Sequence, residues 1–565
     1  MRNLLYGLCV AALVPACKKL DLSDPSNPTS AGFYANQAQL ELAVNDLYRG
    51  DFWSNDNEFF GDNNIYRQNG NSVISGNMNS EDAAVRTYWL NSYKAIARVN
   101  SFLVNKDKAA ANTPASVIAR LEAEMRLIRA YQYYRLVTHF GDVPFLTGPK
   151  PLEESYEIAR TPKAEIIPFI FSELDYAAAN LPASYTSASI RRVTKGLAFA
   201  IKARTALYTE NWAMAKAAAD SVIQLAGSGV YALHANYQQL FVKEGELSKE
   251  IIWSTPRDEK QKVFSAAEGW VKEFMSRTAG GYGAYFPSFD IVNAYECIDG
   301  KPIDESPLYN RNKPFQQRDP RMAMSIVEFG TPWLGFSYQP HPDSTTVWSY
   351  KNSRMVSNVD TRSVAAFASF TGFLWKKGID QSWADRLVED NDAILYRLAE
   401  MYLTFAEASI ELGETNARVL EAINRVRARA YGVAHTATAS YPAATAAMTA
   451  AELKKLVRRE RRVEFVLEGL RYMDLIRWQL AEKALTRPVM GLPDPRAAAP
   501  RVDAAKWPFA ATPEIDEDGV ADYTNFGSDI KLILERRFDK TKQYLWPIPA
   551  SERRVNTNMT QNPNY

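Results

Sequence analysis

Residues 117–145 read VIARLEAEMRLIRAYQYYRLVTHFGDVPF. Val117, Leu121, Met125, Ile128, Gln132 and Leu136 recur at steps of three and four, so one face of a 3.6-residue helix carries them all. The spacing predicts a long amphipathic helix. It stops at Phe140-Gly141-Asp142-Val143-Pro144, where glycine supplies the C-terminal turn and proline forbids continuation.

The same periodicity extends on both sides and predicts a helical block over about 36–225. Within it, Gly196-Leu197-Ala198, Ala203 and Leu207-Tyr208 are followed by Asn211-Trp212-Ala213, Ala215 and Ala219. Small residues alternating with large ones across a short turn let two helices approach closely, as tetratricopeptide pairs do. A second block spans about 393–483: Leu395, Leu398, Met401 and Phe405 build one helix, closed by Gly413. Val419, Ile423, Val426 and Ala430 build the next, and Leu453 to Leu480 a longer one containing Gly469. Glu400 and Glu407 are placed to meet arginines of neighbouring helices. Arg461 with Glu464, and Glu468 with Arg471, are expected to pair along the surface. Between the blocks, over 243–392, Gly, Pro, Asn and aromatic residues predominate. This predicts long irregular loops and a few short strands on a mostly α frame.

Composition narrows the function. The 66 basic residues against 65 acidic ones leave a net charge of +1, so no field of one sign is available for nucleic acid. The basic run from Lys454 to Arg462 is interrupted by Glu460 and reads as a solvated helix face. Of the three cysteines, Cys9 and Cys17 lie in the first residues, MRNLLYGLCVAALVPAC. Arg2, an apolar run to Val14, and Ala16 before Cys17 make residues 1–16 a signal peptide, far short of the ~20 residues a spanning helix needs. Val14-Pro15-Ala16-Cys17 resembles a bacterial lipobox, which makes Cys17 the acylated N-terminus. Residues 17–31 read as a flexible tether.

Five ordered segments resemble the SusD/RagB family of outer-membrane nutrient-uptake lipoproteins. They are Glu122 to Phe145; Tyr295 to Met322, with YECIDGKPI and QRDPRM; Ile394 to Gly413; INRVRARA from Ile423 to Ala430; and the pair Arg458 to Trp478 and Tyr544 to Tyr565. The match covers nearly the whole of residues 32–565. The resemblance implies a tetratricopeptide-like helical-repeat frame with a glycan site on loops, over about 243–392, and an extended C-terminal segment at 540–565. It also implies a non-catalytic role at the cell surface, with a SusC-type TonB-dependent transporter as partner. Trp546-Pro547-Ile548-Pro549 is rigid enough to pin the C-terminus over the helices.

A sugar ring offers C–H groups on its faces and hydroxyls at its rim, so it calls for aromatic rings beside Asn, Asp, Gln or Arg. Sixteen aromatics fall between Phe264 and Tyr350, with little periodicity to absorb them. The candidates are Trp270, Tyr282, Tyr285, Trp333 and Tyr338, joined by Trp53 and Tyr66 in an Asn-rich loop that also holds Phe59 and Arg67. The glycines around Tyr282 are expected to keep its ring uncrowded. Each ring has core packing as its alternative. The four histidines lie far apart, with no HExxH, cysteine cluster or phosphate loop. No cofactor is expected, and scattered carboxylates leave room for a structural calcium ion that no spacing assigns. Two other functions stay open: the same transporter-lid role with a peptide or other nutrient, and a glycoside hydrolase, which needs two carboxylates about 5–10 Å apart.

Overall fold

The structure is a computed structural model that describes residues 33–67, 70–186, 191–263, 268–496 and 506–565. The signal peptide, Cys17 and the tether lie outside the described residues. The main helices are α1 (Gln37–Asn45), α2 (Ala83–Asn105), α3 (Ala115–Phe140), α4 (Lys163–Asn180), α5 (Lys195–Tyr208), α6 (Trp212–Gly227), α7 (Glu268–Phe274), α8 (Leu398–Glu411), α9 (Ala417–Ala430), α10 (Ala450–Glu464) and α11 (Arg471–Arg477). Successive helices pack as neighbours: α3 on α2 and α4, α4 on α5, α5 on α6. Helix α8, reached after the long insertion, docks on α6 and then carries α9 and α10. This is the mostly helical, pairwise-stacked frame that the periodicity predicts.

Helix α3 is more central than an amphipathic surface helix. From Leu121 to Phe140 it is buried almost all round. Most of its polar groups are tolerated there because they are matched, the exceptions being Gln132 Oε1 and Arg135 Nε and Nη1. Arg129 reaches Glu173 of α4 at 2.6 Å, and Gln132 donates to the Phe52 carbonyl at 2.8 Å. At its end Gly141 turns with φ +73°. The C-terminal segment closes over that turn: the Trp546 N–H donates to the His139 carbonyl, and Asn562 donates to the carbonyls of Phe140 and Trp546.

The helix predicted from Leu453 to Leu480 is two helices. Between α10 and α11 the chain breaks at 465–470, with Leu467 at φ +62° and Gly469 at φ +69°. Gly469 is therefore not a helical glycine. A Cβ there would lie 2.1 Å from the Asp56 carbonyl oxygen, so both the conformation and the close approach require glycine.

The expected surface pairs along this segment are instead parts of a buried ion network. Arg461 pairs with Asp474 at 3.0 Å and Arg471 with Asp62 at 2.7 Å. Glu464 receives Arg397 at 2.6 Å, Arg321 at 2.9 Å, and Arg429. Burial alone would raise the Glu464 carboxyl, but the three guanidiniums outweigh it and hold it well below the usual carboxylate range. Arg321 also meets Glu460 and Asp319, and Arg397 meets Glu250 and Glu468. The basic run of α10 is thus only partly a solvated face, since Arg461 and Arg462 are buried. Glu400 and Glu407 meet Arg204 and Arg477, each at 2.6 Å.

Twelve short strands are formed among the described residues. Those used below are β1 (Asn64–Tyr66), β2 (Ile251–Thr255), β3 (Tyr285–Pro287) and β8 (Ala393–Arg397), numbered among all twelve in chain order. β1 pairs antiparallel with β3, and β2 with β8, which runs straight into α8. The insertion also folds a four-stranded sheet over 332–357 and builds a second hydrophobic core together with residues such as Val466, Phe509 and Phe526 of later segments. That core takes Phe289, Tyr295, Trp333, Tyr338, Phe373 and Trp375, so many of the aromatics that periodicity left unassigned serve as packing.

Candidate functional site

Residues 64–66 and 285–287 are too short to hold a sheet alone, yet the pleat sorts their side chains cleanly. In the antiparallel register, Ile65 lies opposite Phe286 and Tyr66 opposite Tyr285. Ile65 and Phe286 point inward and are buried with Val489. Tyr66 and Tyr285 share the outer face, with ring centroids 4.6 Å apart. Helix α7 brings two more rings, Trp270 and Phe274, which are one turn apart and in edge contact at 5.2 Å. Tyr285 is the hub: its ring lies 4.3 Å from Phe59, 4.8 Å from Phe274 and 5.2 Å from Trp270.

The loop after α7 is strapped back onto it. The N–H groups of Gly283 and Ala284 donate to the carbonyls of Met275 and Glu273. Gly281 is needed for this close approach, since a Cβ would lie 2.4 Å from the Met275 carbonyl oxygen. The glycines therefore serve the backbone, and the result is that Tyr282 stands 43% exposed at the edge of the cluster. Arg67, directly after β1, donates to the Tyr282 carbonyl at 3.0 Å and to the Phe367 carbonyl. Its guanidinium also lies over the Phe367 ring, which is 60% exposed. Burial, and then the charges of Tyr66 and Glu273, push the Tyr285 hydroxyl up to about 12, so it stays a neutral phenol able to donate a hydrogen bond.

The seven candidate rings are therefore divided. Tyr66, Trp270 and Tyr285 are brought together, with Tyr282 beside them. Trp53, Trp333 and Tyr338 are each 2% exposed and are packing residues. Trp53 stacks on Tyr131 at 4.6 Å and donates to the Leu47 carbonyl, with only its edge bordering the adjoining cleft. Trp333 and Tyr338 fill the insertion core, and the Tyr338 hydroxyl donates to the Gly372 carbonyl. Sequence reading missed Phe274 and Phe367. Phe274 was detectable from its i, i+4 spacing to Trp270, whereas nothing local marked Phe367.

A cleft of about 1170 Å³ opens beside the cluster, between the helical frame and the insertion, and shares Phe59, Trp270 and Phe274 with it. Among the described residues, no group of three or more His, Cys, Asp or Glu side chains gathers as a metal site would need. No helix among them is long and apolar enough to cross a membrane.

Comparison with known proteins places this architecture. The model of the SusD family matches residues 249–565, more than half of the chain. The chain belongs to the SusD family. A second model, described as starch-binding associating with outer membrane, matches residues 20–207 of this SusD-family protein. Among curated relatives, SusD-like protein P25 of Formosa agariphila is 27% identical over 409 residues, covering 70% of each chain. Among solved structures, a SusD-like carbohydrate binding protein from Bacteroides fragilis is 29% identical with a TM-score of 0.75, covering 94% of this chain and 100% of that one. Surface glycan-binding protein A from Bacteroides fluxus shares the fold at 18% identity, with a TM-score of 0.60 over 94% of this chain and 100% of its own.

Proposed function

We propose that this SusD-family protein is a non-catalytic surface lipoprotein that captures a glycan and passes it to a SusC-type TonB-dependent transporter in the outer membrane. The observation that carries the reading is the cluster of rings around Tyr285, set on the outer face of β1 and β3. Flat, half-exposed rings accept the C–H faces of sugar units. The Tyr66, Tyr282 and Tyr285 hydroxyls and the Arg67 guanidinium then supply the rim contacts that fix orientation. The names of the Bacteroides fragilis and Bacteroides fluxus proteins, carbohydrate binding and surface glycan-binding, support the ligand class. The lipid on Cys17 and the tether that follows keep the protein at the membrane, beside its transporter.

Calorimetry and glycan-array screening of the protein without residues 1–17 test the reading. Binding to one glycan class with no release of reducing ends is expected. Turnover that follows the protein through purification and vanishes when one carboxylate is replaced overturns it.

A further inference from the structure

We propose that the cleft beside the ring cluster is a second binding region, which takes uncharged sugar residues of the same glycan beyond those stacked on the rings. The proposal rests on the glycan-binding reading and extends it. Its first support is position. Phe59, Trp270 and Phe274 belong to both the cluster and the cleft wall, so a chain lying on the rings reaches the mouth directly.

The second support is a set of polar atoms on the cleft residues that make no hydrogen bond. Asn64 Nδ2, Thr255 Oγ1, Trp383 Nε1 and Asn391 Oδ1 are all buried and without a partner. Two of them are held in that state by the fold. Asn64 accepts at its oxygen from Trp375 Nε1 at 2.8 Å and from the Ile65 N–H at 3.0 Å, which fixes its amide nitrogen as the free end. Asn391 donates through its nitrogen to the carbonyls of Phe241 and Gly378, which fixes its oxygen as the free end. Buried polar groups are costly to leave unmatched, so unmatched groups on the residues of a cleft call for a polar guest, a water or a ligand hydroxyl.

The third support is charge. Most of the less exposed ions of the cleft already have ionic partners: Arg257 meets Glu389 at 2.6 Å, Lys377 meets Glu468 at 2.5 Å, and Asp392 is held by Arg191 and Ser254, while Glu58, in no ion pair among the described residues, accepts from the Gly469 N–H and from Asn63. An ionic ligand gains little from such matched pairs. The free atoms are instead a mixture of donors and acceptors. A sugar hydroxyl is both at once, so neutral sugar residues fit this wall.

Gly50 gives a clean test. It borders the cleft, its φ is not in the left-handed region, and a Cβ there would sit 3.6 Å from Thr255 Cγ2, an ordinary contact. Gly50→Leu therefore fills the cleft without straining the backbone, and Thr255→Val removes the unpartnered hydroxyl at constant shape. The probes are an array of maltose-, cellulose-, xylan- and mannan-derived oligosaccharides, short and long, beside uronic-acid oligomers. For the neutral glycan that wild type binds, Gly50→Leu should weaken the long oligomers at least about tenfold and leave the short ones unchanged. Thr255→Val should do the same to a smaller degree, with an unchanged melting temperature. Tyr282→Ala should weaken short and long alike. Equal affinity of wild type, Gly50→Leu and Thr255→Val at every length overturns the cleft but not the ring site. Wild-type binding confined to acidic oligomers overturns the neutral ligand. An array on which wild type binds no glycan overturns both readings.

Discussion

Replacing Tyr282 and Trp333 by alanine separates binding from packing. Tyr282 is 43% exposed, and the groups tied down are in its backbone: the carbonyl, by Arg67 at 3.0 Å and Arg277 at 3.1 Å, and the N–H, which donates to the Lys272 carbonyl. Removing its ring leaves those bonds intact, and a side chain this exposed contributes little burial, so stability should change by less than about 0.5 kcal/mol. Stacking of a flat ligand on an aromatic ring contributes ~1–3 kcal/mol, and a sugar lies near the lower end. Affinity should therefore fall about 5- to 50-fold. Trp333 is 2% exposed in the insertion core, where a Trp→Ala cavity costs about 3–5 kcal/mol. Its loss should lower resistance to urea while the molecules that remain folded bind as wild type does. Calorimetric titration and urea unfolding, run side by side on both variants, make the comparison. Wild-type affinity in Tyr282→Ala, or lost affinity with unchanged stability in Trp333→Ala, refutes the division of the rings.

Four further outcomes are expected. Cys17→Ala should move the protein from washed outer membranes to the soluble fraction, and retention in the membranes would argue against the lipid anchor. Glu464→Gln should destabilise the fold by about 3–5 kcal/mol in urea, because it leaves the buried Arg397, Arg429 and Arg321 short of a counter-charge. Since the Glu464 carboxyl is depressed in the fold, its contribution is complete above the unfolded value of about 4.5 and is lost as pH falls below it, so the penalty of the variant should shrink in acid. Glu58 behaves in the opposite sense. Burial pushes it up to about 7, so the stability tied to its protonated form is present below about 4.5 and lost as pH rises through 7. Glu58→Gln should thus raise the melting temperature more at pH 8 than at pH 5, and an equal shift at both would show the carboxyl to be solvated. Gly469→Ala should destabilise by more than about 1 kcal/mol, because its Cβ meets the Asp56 carbonyl in a left-handed conformation; a variant as stable as wild type would mean that the 465–470 break relaxes freely.

Local pattern made the frame legible. The repeating apolar positions of α3, the small residues between α5 and α6, and the stops at Gly141 and Gly413 each declare a helix through contacts within a few residues. The same reasoning failed at α10 and α11. Alternating Arg and Glu look like solvent-facing pairs when their partners are unseen, and those partners are Asp62, Arg397, Arg429 and Arg321, in other elements. The site was half legible for a similar reason. An excess of rings outside periodic segments pointed to the loops that hold the candidate cluster, but which rings pack and which stay open depends on pairings such as Arg67 with Tyr282, 215 residues apart. Phe367 had no local signal because its exposure is set by that distant guanidinium.

The closing of the C-terminal segment over α3 has a consequence for how the molecule comes into being. His139 and Phe140 are made early, yet the groups that satisfy their carbonyls, Trp546 and Asn562, are among the last residues of the chain. Asp62 likewise waits some 400 positions for Arg462 and Arg471. Contacts so remote in sequence cannot form one segment at a time, and closing such loops slows folding. The N-terminal helices therefore stay incomplete during synthesis, with backbone groups unmatched, and the native molecule is reached only after its final turn is available. Such wiring holds the N-terminal helices short of their native contacts until the segment from Trp546 to Asn562 has been made.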